Sequence, residues 1–253
     1  MKKQKIHITK NQIDNNYVSP VFPPFGERGL FLKVCGMKFT KNIQQVAALQ
    51  PDYLGFIFYG KSKRNFEGII PELPKNIKKT GVFVNEYIEI LVSLVEEYQL
   101  EAIQLHGEES VEYIKELKSQ IELSQELYQN ENFKLGKKTA IEIIKVFGIK
   151  DHFDFEILNS YLDDVDYFLF DTKGDEKGGN GIHFNWQILK NYPFSKPFFL
   201  SGGIGLDDVE KVQEILKHSL PIYGLDVNSK FEMEPGKKNI EALKKFKNEL
   251  SNI

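Results

Sequence analysis

The feature that most constrains this chain is an alternation of short apolar runs with amphipathic segments. Eight runs have strand length and are rich in Val, Ile, Phe or Tyr: Phe31–Cys35, Tyr53–Phe58, Thr80–Val84, Ala102–Leu105, Ile141–Phe147, Tyr167–Phe170, Pro197–Ser201 and Ile222–Asp226. Helical patterns lie between or after them, at Thr40–Gln50, Tyr87–Gln99, Ser110–Leu117, Phe155–Leu162, Asn185–Asn191, Leu206–Lys217 and Lys237–Leu250. Such alternation predicts parallel βα units. For 253 residues, a single α/β domain with a closed (β/α)₈ fold, a TIM barrel, explains the count better than an open sheet or two smaller domains.

Three segments depart from this regular alternation. Residues 1–29 are rich in Lys, Asn, Gln and Pro, which predicts an irregular N-terminal extension to a barrel domain of residues 30–253. Lys61–Lys78 contains two prolines and little periodicity, so we expect a long loop with one short helix. Lys118–Lys138 is polar, and reads as a surface insertion or as a helix extension at the barrel end away from the active site.

Composition narrows the class of protein. The formal net charge of −3 offers no basic excess for bulk nucleic-acid binding. The single cysteine, Cys35, excludes an internal disulfide and fits a reducing, cytoplasmic setting. The polar N-terminus does not resemble a secretory signal, and no apolar stretch approaches the length of a membrane span. We therefore expect a cytoplasmic protein without nucleic-acid or membrane partners.

Polar and Gly-rich residues follow the predicted strands, at the barrel end where active sites of this fold lie. After the seventh strand come Gly202 and Gly203, and after the eighth come Asn228 and Ser229. Glycines let backbone amides approach an anion, and these two loops are the usual phosphate position in such barrels. The alternative is that the glycines only make tight turns. No Lys-Ser/Thr pair follows them, which speaks against a nucleotide P-loop.

Two strand ends carry groups suited to acid–base chemistry. Cys35 ends the first strand and can act as a base, while Asp171 ends the sixth and can act as an acid. Both have structural alternatives, as a core thiol and as a loop cap. Arg64 can pair with a carboxylate or be a solvated charge. His106 can orient a substrate or simply be satisfied at its strand end.

Period-two alternation places Lys33 on the same face as Cys35. A lysine inside a barrel requires a partner. Asp226 closes the eighth strand, which neighbours the first strand in a closed barrel. We therefore expect Lys33 to lie near Asp226 and Cys35, where its charge would lower the pKa of the thiol. The His, Cys and Asp residues are otherwise scattered singly, so a metal site is not expected.

An ordered series of motifs resembles the phosphoribosylanthranilate isomerase family. The matching segments are Lys33–Met37, Leu54–Tyr59, Lys61–Arg64, Gly81–Asn85, Gln104–Gly107, Phe170–Lys173, Gly178–Gly181, Phe184–Trp186, Ser201–Ile204, Asp226–Ser229 and Glu234–Lys237. Any one of them is a weak signal. Their order over residues 31–249 makes the resemblance specific.

This resemblance implies an Amadori rearrangement of N-(5-phosphoribosyl)anthranilate in tryptophan biosynthesis, with no cofactor and no metal. Cys35 corresponds to the base that takes the sugar C2′ proton, and Asp171 to the acid that protonates the ring oxygen. Arg64 corresponds to the residue that faces the anthranilate carboxylate. The phosphate turns correspond to Gly202, Gly203, Asn228 and Ser229, with Gly181 in the sixth loop. A monomer and a homodimer are both compatible with the resemblance.

Four positions depart from the family pattern and bear on the phosphate contacts. Lys230 replaces a common Gly, Asn180 and Asn228 replace Thr and Ser, and Ile182 replaces a frequent Lys.

Three other functional interpretations stay open at this point. An indoleglycerol-phosphate synthase would need a catalytic Lys with Glu partners, and a metal-dependent epimerase would need paired His and Asp ligands. A catalytically silent barrel would not need Cys35, Asp171 and Arg64 together.

Overall fold

The computed structural model describes residues 30–130, 140–172 and 184–250. Eight parallel strands form a closed barrel in chain order, with β1 hydrogen-bonded to β8. The strands are β1 Phe31–Val34, β2 Tyr53–Ile57, β3 Lys78–Phe83, β4 Ala102–Leu105, β5 Glu142–Ile149, β6 Tyr167–Thr172, β7 Phe198–Leu200 and β8 Ile222–Val227. Every predicted strand is present, and the predicted (β/α)₈ barrel is confirmed.

Aromatic side chains fill the barrel at the N-terminal ends of the strands. Phe31 and Tyr223 stack with ring centroids 4.3 Å apart, and Tyr53 meets Phe199 edge-on at 5.4 Å. Tyr53 and Phe199 are fully buried. Rings of this size each remove a large apolar area from water. This aromatic layer closes the bottom of the barrel.

The outer layer of helices covers the strands through spaced apolar residues. The α-helices are α1 Thr40–Ala47, α2 Ile88–Tyr98, α3 Val111–Asn130, α4 Val209–Leu216 and α5 Ile240–Leu250. In α1, Ile43, Val46 and Ala47 are buried at the i, i+3, i+4 spacing of a single helical face. Full burial of a side chain such as Ile43 contributes about 1.5–3 kcal/mol.

Two predicted α-helices are instead 3₁₀ turns, at Phe155–Tyr161 and Trp186–Asn191. Each begins with a polar cap: Asp154 accepts from the Glu156 backbone N–H, and Asn185 accepts from that of Gln187. Periodicity over six or seven residues does not distinguish the two helix types, and such short crossovers gain little from α-helical propagation.

Two further segments lack a helix that the sequence predicted. No helix forms in Lys61–Lys78, contrary to expectation, and turns occupy it instead. Lys237–Lys238 is not helical either, because it forms strand β10 against β9 (Glu232–Glu234) in a small antiparallel hairpin. Gly236 between them has a φ of 88°, a conformation that glycine adopts without strain.

The polar segment after the fourth strand is a helix extension, since α3 continues to Asn130. Residues 131–138 of that segment, the extension 1–29 and Gly181 lie outside the described residues. The proposed boundary between residues 29 and 30 therefore stays a prediction. No helix in the described part of the chain is long and apolar enough to cross a membrane.

Candidate active site

A pocket opens at the C-terminal ends of the strands and brings together most of the predicted site residues. The space inside it, together with the open solvent at its mouth, amounts to about 710 Å³. The predicted residues that line it are Cys35, Arg64, His106, Asp171, Gly203, Asp226, Asn228 and Ser229. Tyr59, Gln104 and Ser201 also line it. The strand-end argument from the sequence therefore located one common site.

Lys33 lies below the pocket floor and has no exposed surface. Its Cα is in register with that of Asp226, and its Nζ is 2.7 Å from Asp226 Oδ1. The predicted pairing across β1 and β8 is confirmed. Burial lowers the pKa of Lys33, but Asp226 and Cys35 outweigh it, so that the pKa is raised above its ordinary value. Lys33 is thus a permanent cation beneath the site.

Cys35 is 3% exposed and points toward β2, where its Sγ would lie only 2.8 Å from a Cβ at Gly55. The glycine therefore leaves the space that the thiol occupies. Burial raises the pKa of Cys35, Lys33 and Lys238 lower it, and Asp226 raises it, with a net increase. The sequence analysis expected Lys33 to lower the pKa of the thiol. It does so, but desolvation is the larger effect.

Asp171 faces the same pocket from the end of β6. Burial and the nearby Asp226 carboxylate raise its pKa to about 6, against opposing contributions from the Thr172 backbone N–H, Ser201 and Lys33. The Thr172 N–H donates to Asp171 Oδ1 at 2.8 Å. A carboxyl group with such a pKa retains a useful protonated fraction near neutral pH. Asp171 can therefore donate a proton in the pocket.

His106 lies beside Asp171, with 3.6 Å between its Nε2 and Asp171 Oδ2. Gln104 Nε2 is 3.3 Å from His106 Nδ1. A donor at Nδ1 favours the tautomer that carries its proton on Nε2, facing Asp171. A buried ion pair supports this loop: Lys145 Nζ is 2.7 Å from Glu109 Oε2, and Glu109 accepts from the Gly107 backbone N–H. His106 is thus held in position from both sides.

The turn after β7 depends on glycine. Gly202 and Gly203 have φ values of 94° and 69°. A Cβ at Gly202 would lie 2.3 Å from Thr172 Oγ1 and 2.9 Å from the Thr172 backbone N, so no larger residue fits without movement. Asn228 and Ser229 line the pocket from the turn after β8. The two predicted phosphate turns therefore border one pocket.

Arg64 reaches the pocket from the loop after β2, but its guanidinium is already engaged. Its Nε and Nη2 donate to the two carboxylate oxygens of Glu232, at 2.7 to 3.0 Å. Glu232 also accepts from Lys238 Nζ at 2.7 Å, and Lys238 donates to Asn228 Oδ1 at 2.7 Å. Lys238 has no exposed surface, and burial, its largest influence, lowers its pKa to about 8.

Sequence reasoning missed Glu232 and Lys238. Lys238 was assigned to a helix, although the Pro235-Gly236 dipeptide next to it is a turn signal. A turn there would have placed the two residues opposite each other. Within the described ranges, no group of three or more His, Cys, Asp or Glu residues is arranged to hold a metal ion.

Together, the closed parallel barrel and the polar pocket at its strand ends define the (β/α)₈-barrel class of enzymes. A model of the N-(5′-phosphoribosyl)anthranilate (PRA) isomerase family matches residues 32–140 and 130–249. The chain belongs to this family, as its motifs indicated, and is therefore not a member of the synthase or epimerase families.

Individual relatives agree with the family match. An N-(5′-phosphoribosyl)anthranilate isomerase of Parabacteroides distasonis is 40% identical over 223 residues, covering 86% of this chain and 91% of the relative. One of Phocaeicola vulgatus is 35% identical, covering 87% and 98%. The crystal structure of phosphoribosyl anthranilate isomerase from Thermotoga maritima has a TM-score of 0.68 at 30% identity, covering 88% of this chain and all of that one.

Proposed function

We propose that this chain catalyses the isomerisation of N-(5-phosphoribosyl)anthranilate to 1-(2-carboxyphenylamino)-1-deoxyribulose 5-phosphate in L-tryptophan biosynthesis. The observation that carries the proposal is the single pocket that Cys35 and Asp171 share in a barrel of this family. One solved relative, with a TM-score of 0.65 at 27% identity, is a complex with reduced 1-(o-carboxyphenylamino)-1-deoxyribulose 5-phosphate. A ligand of that chemistry needs a carboxylate site and a phosphate site at opposite ends of one pocket.

Asp171 is the proposed general acid. It gives its proton to the furanose ring oxygen while the C1′–O bond breaks and the nitrogen lone pair forms a C1′=N iminium. The raised pKa, about 6, supports this role because the protonated form is accessible near neutral pH. His106, 3.6 Å away, is proposed to orient the carboxyl group.

Cys35 is the proposed general base. Its thiolate removes the C2′ proton, and the C–H electron pair forms a C1′=C2′ bond as the iminium nitrogen recovers its lone pair. The resulting enolamine then gains a proton at C1′ and loses one from the C2′ hydroxyl to give the ketone. A thiol with a raised pKa is a thiolate only in a minor fraction, but that thiolate is a strong base. Lys33, held by Asp226, favours the anion.

Substrate binding is assigned to the two ends of the pocket. Arg64 is proposed to receive the anthranilate carboxylate, because a guanidinium can bind a carboxylate through two parallel hydrogen bonds. The phosphate is proposed to bind the turns that follow β7 and β8, through Gly202, Gly203, Asn228 and Ser229, with Gly181 as a further contact. Gly203, Asn228 and Ser229 all line the pocket, which supports this assignment.

The proposed partner is therefore a small phosphorylated molecule, with no nucleic acid or membrane partner, and the proposed location is the cytoplasm. The chain is proposed to be a monomer or a homodimer. One solved relative, with a TM-score of 0.63 at 26% identity, is described as a monomer made from the dimeric isomerase of Thermotoga maritima. Light scattering coupled to size-exclusion chromatography distinguishes the two states.

The function is tested by following the loss of anthranilate fluorescence with freshly made phosphoribosylanthranilate. Wild type is expected to turn over, and Cys35→Ala and Asp171→Asn are each expected to lose about 10²–10⁴-fold in kcat. Asp151→Asn, an exposed position after β5, is the control and should retain activity. Full activity in either site variant would refute that residue's role. An inactive wild type would favour a catalytically silent barrel.

A further inference from the structure

The guanidinium of Arg64 has two edges that can each bind a carboxylate. Glu232 occupies the edge formed by Nε and Nη2, with three donor–acceptor distances of 2.7 to 3.0 Å. Within the described residues, Nη1 makes no hydrogen bond or ion pair, so the edge formed by Nη1 and Nη2 remains for a second carboxylate. The Arg64 side chain is 13% exposed and lines the pocket. Because Glu232 fixes the plane of the guanidinium, it also fixes where a second carboxylate can bind.

Glu232 is a rigid anchor for Arg64. Its side chain is 5% exposed and also accepts from Lys238 Nζ at 2.7 Å and from the Gly236 backbone N–H at 3.0 Å. Burial raises the pKa of Glu232, but Arg64, Lys238 and Gly236 outweigh it, so that the pKa lies below its ordinary value and the side chain stays ionised. The carboxylate is therefore held by three groups at once.

Lys238 extends this contact to the phosphate turn. Its Nζ is 2.7 Å from Glu232 Oε1 and 2.7 Å from Asn228 Oδ1. Gly36 lies between Arg64 and Asn228 and leaves room for both side chains, since a Cβ there would lie 2.8 Å from both Arg64 Cδ and Asn228 Oδ1. A continuous chain of charged and polar contacts thus joins the loop after β2 to the turn after β8.

We propose that Glu232 and Lys238 are positioning residues that aim the open edge of Arg64 at the substrate carboxylate and couple it to the phosphate turn at Asn228. This inference rests on the proposed function for the identity of the ligand. What it adds to the proposed function is that carboxylate binding and phosphate binding depend on each other, through two buried residues that do not touch the reacting atoms. A hairpin ion pair that served stability alone would leave ligand affinity unchanged.

The test compares Glu232→Gln and Lys238→Met with two matched neighbours. Glu234→Gln and Lys237→Met alter an exposed ion pair on the same hairpin, with 3.1 Å between Nζ and Oε1, whereas the Arg64 side chain donates to Glu232. The probe is reduced 1-(o-carboxyphenylamino)-1-deoxyribulose 5-phosphate, whose binding is titrated by its fluorescence. Glu232→Gln and Lys238→Met are expected to bind it about 10- to 100-fold more weakly, because each variant loses a charged hydrogen-bond partner. The neighbours should bind as wild type does.

Steady-state kinetics separate positioning from loss of structure. Glu232→Gln should raise KM for phosphoribosylanthranilate by a similar factor with little change in kcat, because the lost contact serves substrate and transition state equally. In an Arg64→Met background, Glu232→Gln should cause no further loss of affinity if it acts through Arg64. Equal losses in both backgrounds, or unchanged affinity in Glu232→Gln, would overturn the inference while the proposed function stands. A wild type that neither binds nor turns over would refute the proposed function, and this inference with it.

Discussion

Replacing Asp171 with Asn should make the protein more stable while it removes the proposed acid. The folded environment raises the pKa of Asp171 from 3.8 to about 6, mainly through burial and through the Asp226 carboxylate. Above pH 6 the native state must hold this carboxylate ionised in a place that disfavours the charge. An Asn side chain is neutral and can still accept the hydrogen bond from the Thr172 backbone N–H.

The size of the effect follows from the pKa shift. A pKa shift of one unit corresponds to about 1.4 kcal/mol, so the raised pKa of Asp171 costs the native state about 2–3 kcal/mol when the group is ionised. Between pH 3.8 and about 6, the folded state binds more protons than the unfolded state, and stability falls as pH rises. Asp171→Asn removes this loss. Its advantage is therefore full above about pH 6 and vanishes toward pH 4.

Thermal unfolding at several pH values measures this. At pH 7.5 the midpoint of Asp171→Asn should exceed that of wild type by about 5–10 °C, on the scale of 2–4 °C per kcal/mol for a protein of this size. At pH 4 the two midpoints should coincide. Asp151→Asn makes the same substitution at an exposed position outside the pocket and serves as the control in these scans. A difference that is absent at pH 7.5, or that is equal at both pH values, would refute the reasoning.

Three further outcomes are expected. The proposed active form has Asp171 protonated and Cys35 ionised, and because the pKa of the acid is the lower one, the fraction of this form is constant between the two pKa values. The pH profile of kcat/KM should therefore rise up to about pH 6, the pKa of Asp171, stay level, and fall only above the ordinary thiol value of 9.0, because burial raises the pKa of Cys35. A fall that begins between pH 6 and 8 would contradict this. Lys33→Met should lower unfolding stability by about 3–5 kcal/mol by leaving Asp226 unpaired, and adding Asp226→Asn should recover most of it in urea titrations; no recovery would mean that the ion pair is not the cause. Gly202→Ala should raise KM and cost about 1–3 kcal/mol of stability, because its φ is 94°; unchanged kinetics would separate this turn from substrate binding.

The order of the strands was predictable because each strand carries its own signal. A run such as Ala102–Leu105 is apolar over strand length, and the structure makes it β4 with the same bounds. The pairing of Lys33 with Asp226 was also predictable, since period two and barrel closure together fix which side chains meet across β1 and β8. Local pattern did not distinguish 3₁₀ from α-helix at Phe155–Tyr161, because both have a similar period over so few residues.

The sequence alone determined the barrel, the family and most of the predicted residues that line the pocket, because strand periodicity and ordered motifs are local properties of the chain. Tertiary structure alone decided which ion pairs hold the site residues in place and in which direction their pKa values shift. Glu232 lies 168 residues from Arg64, and their contact forms only when the hairpin of β9 and β10 packs against the loop after β2. The pKa of Cys35 was likewise outside the reach of sequence, because it depends on whether burial or the two neighbouring lysines has the larger effect. Proximity in space, which sets both the desolvation and the partners, is the physical quantity that the linear pattern does not contain.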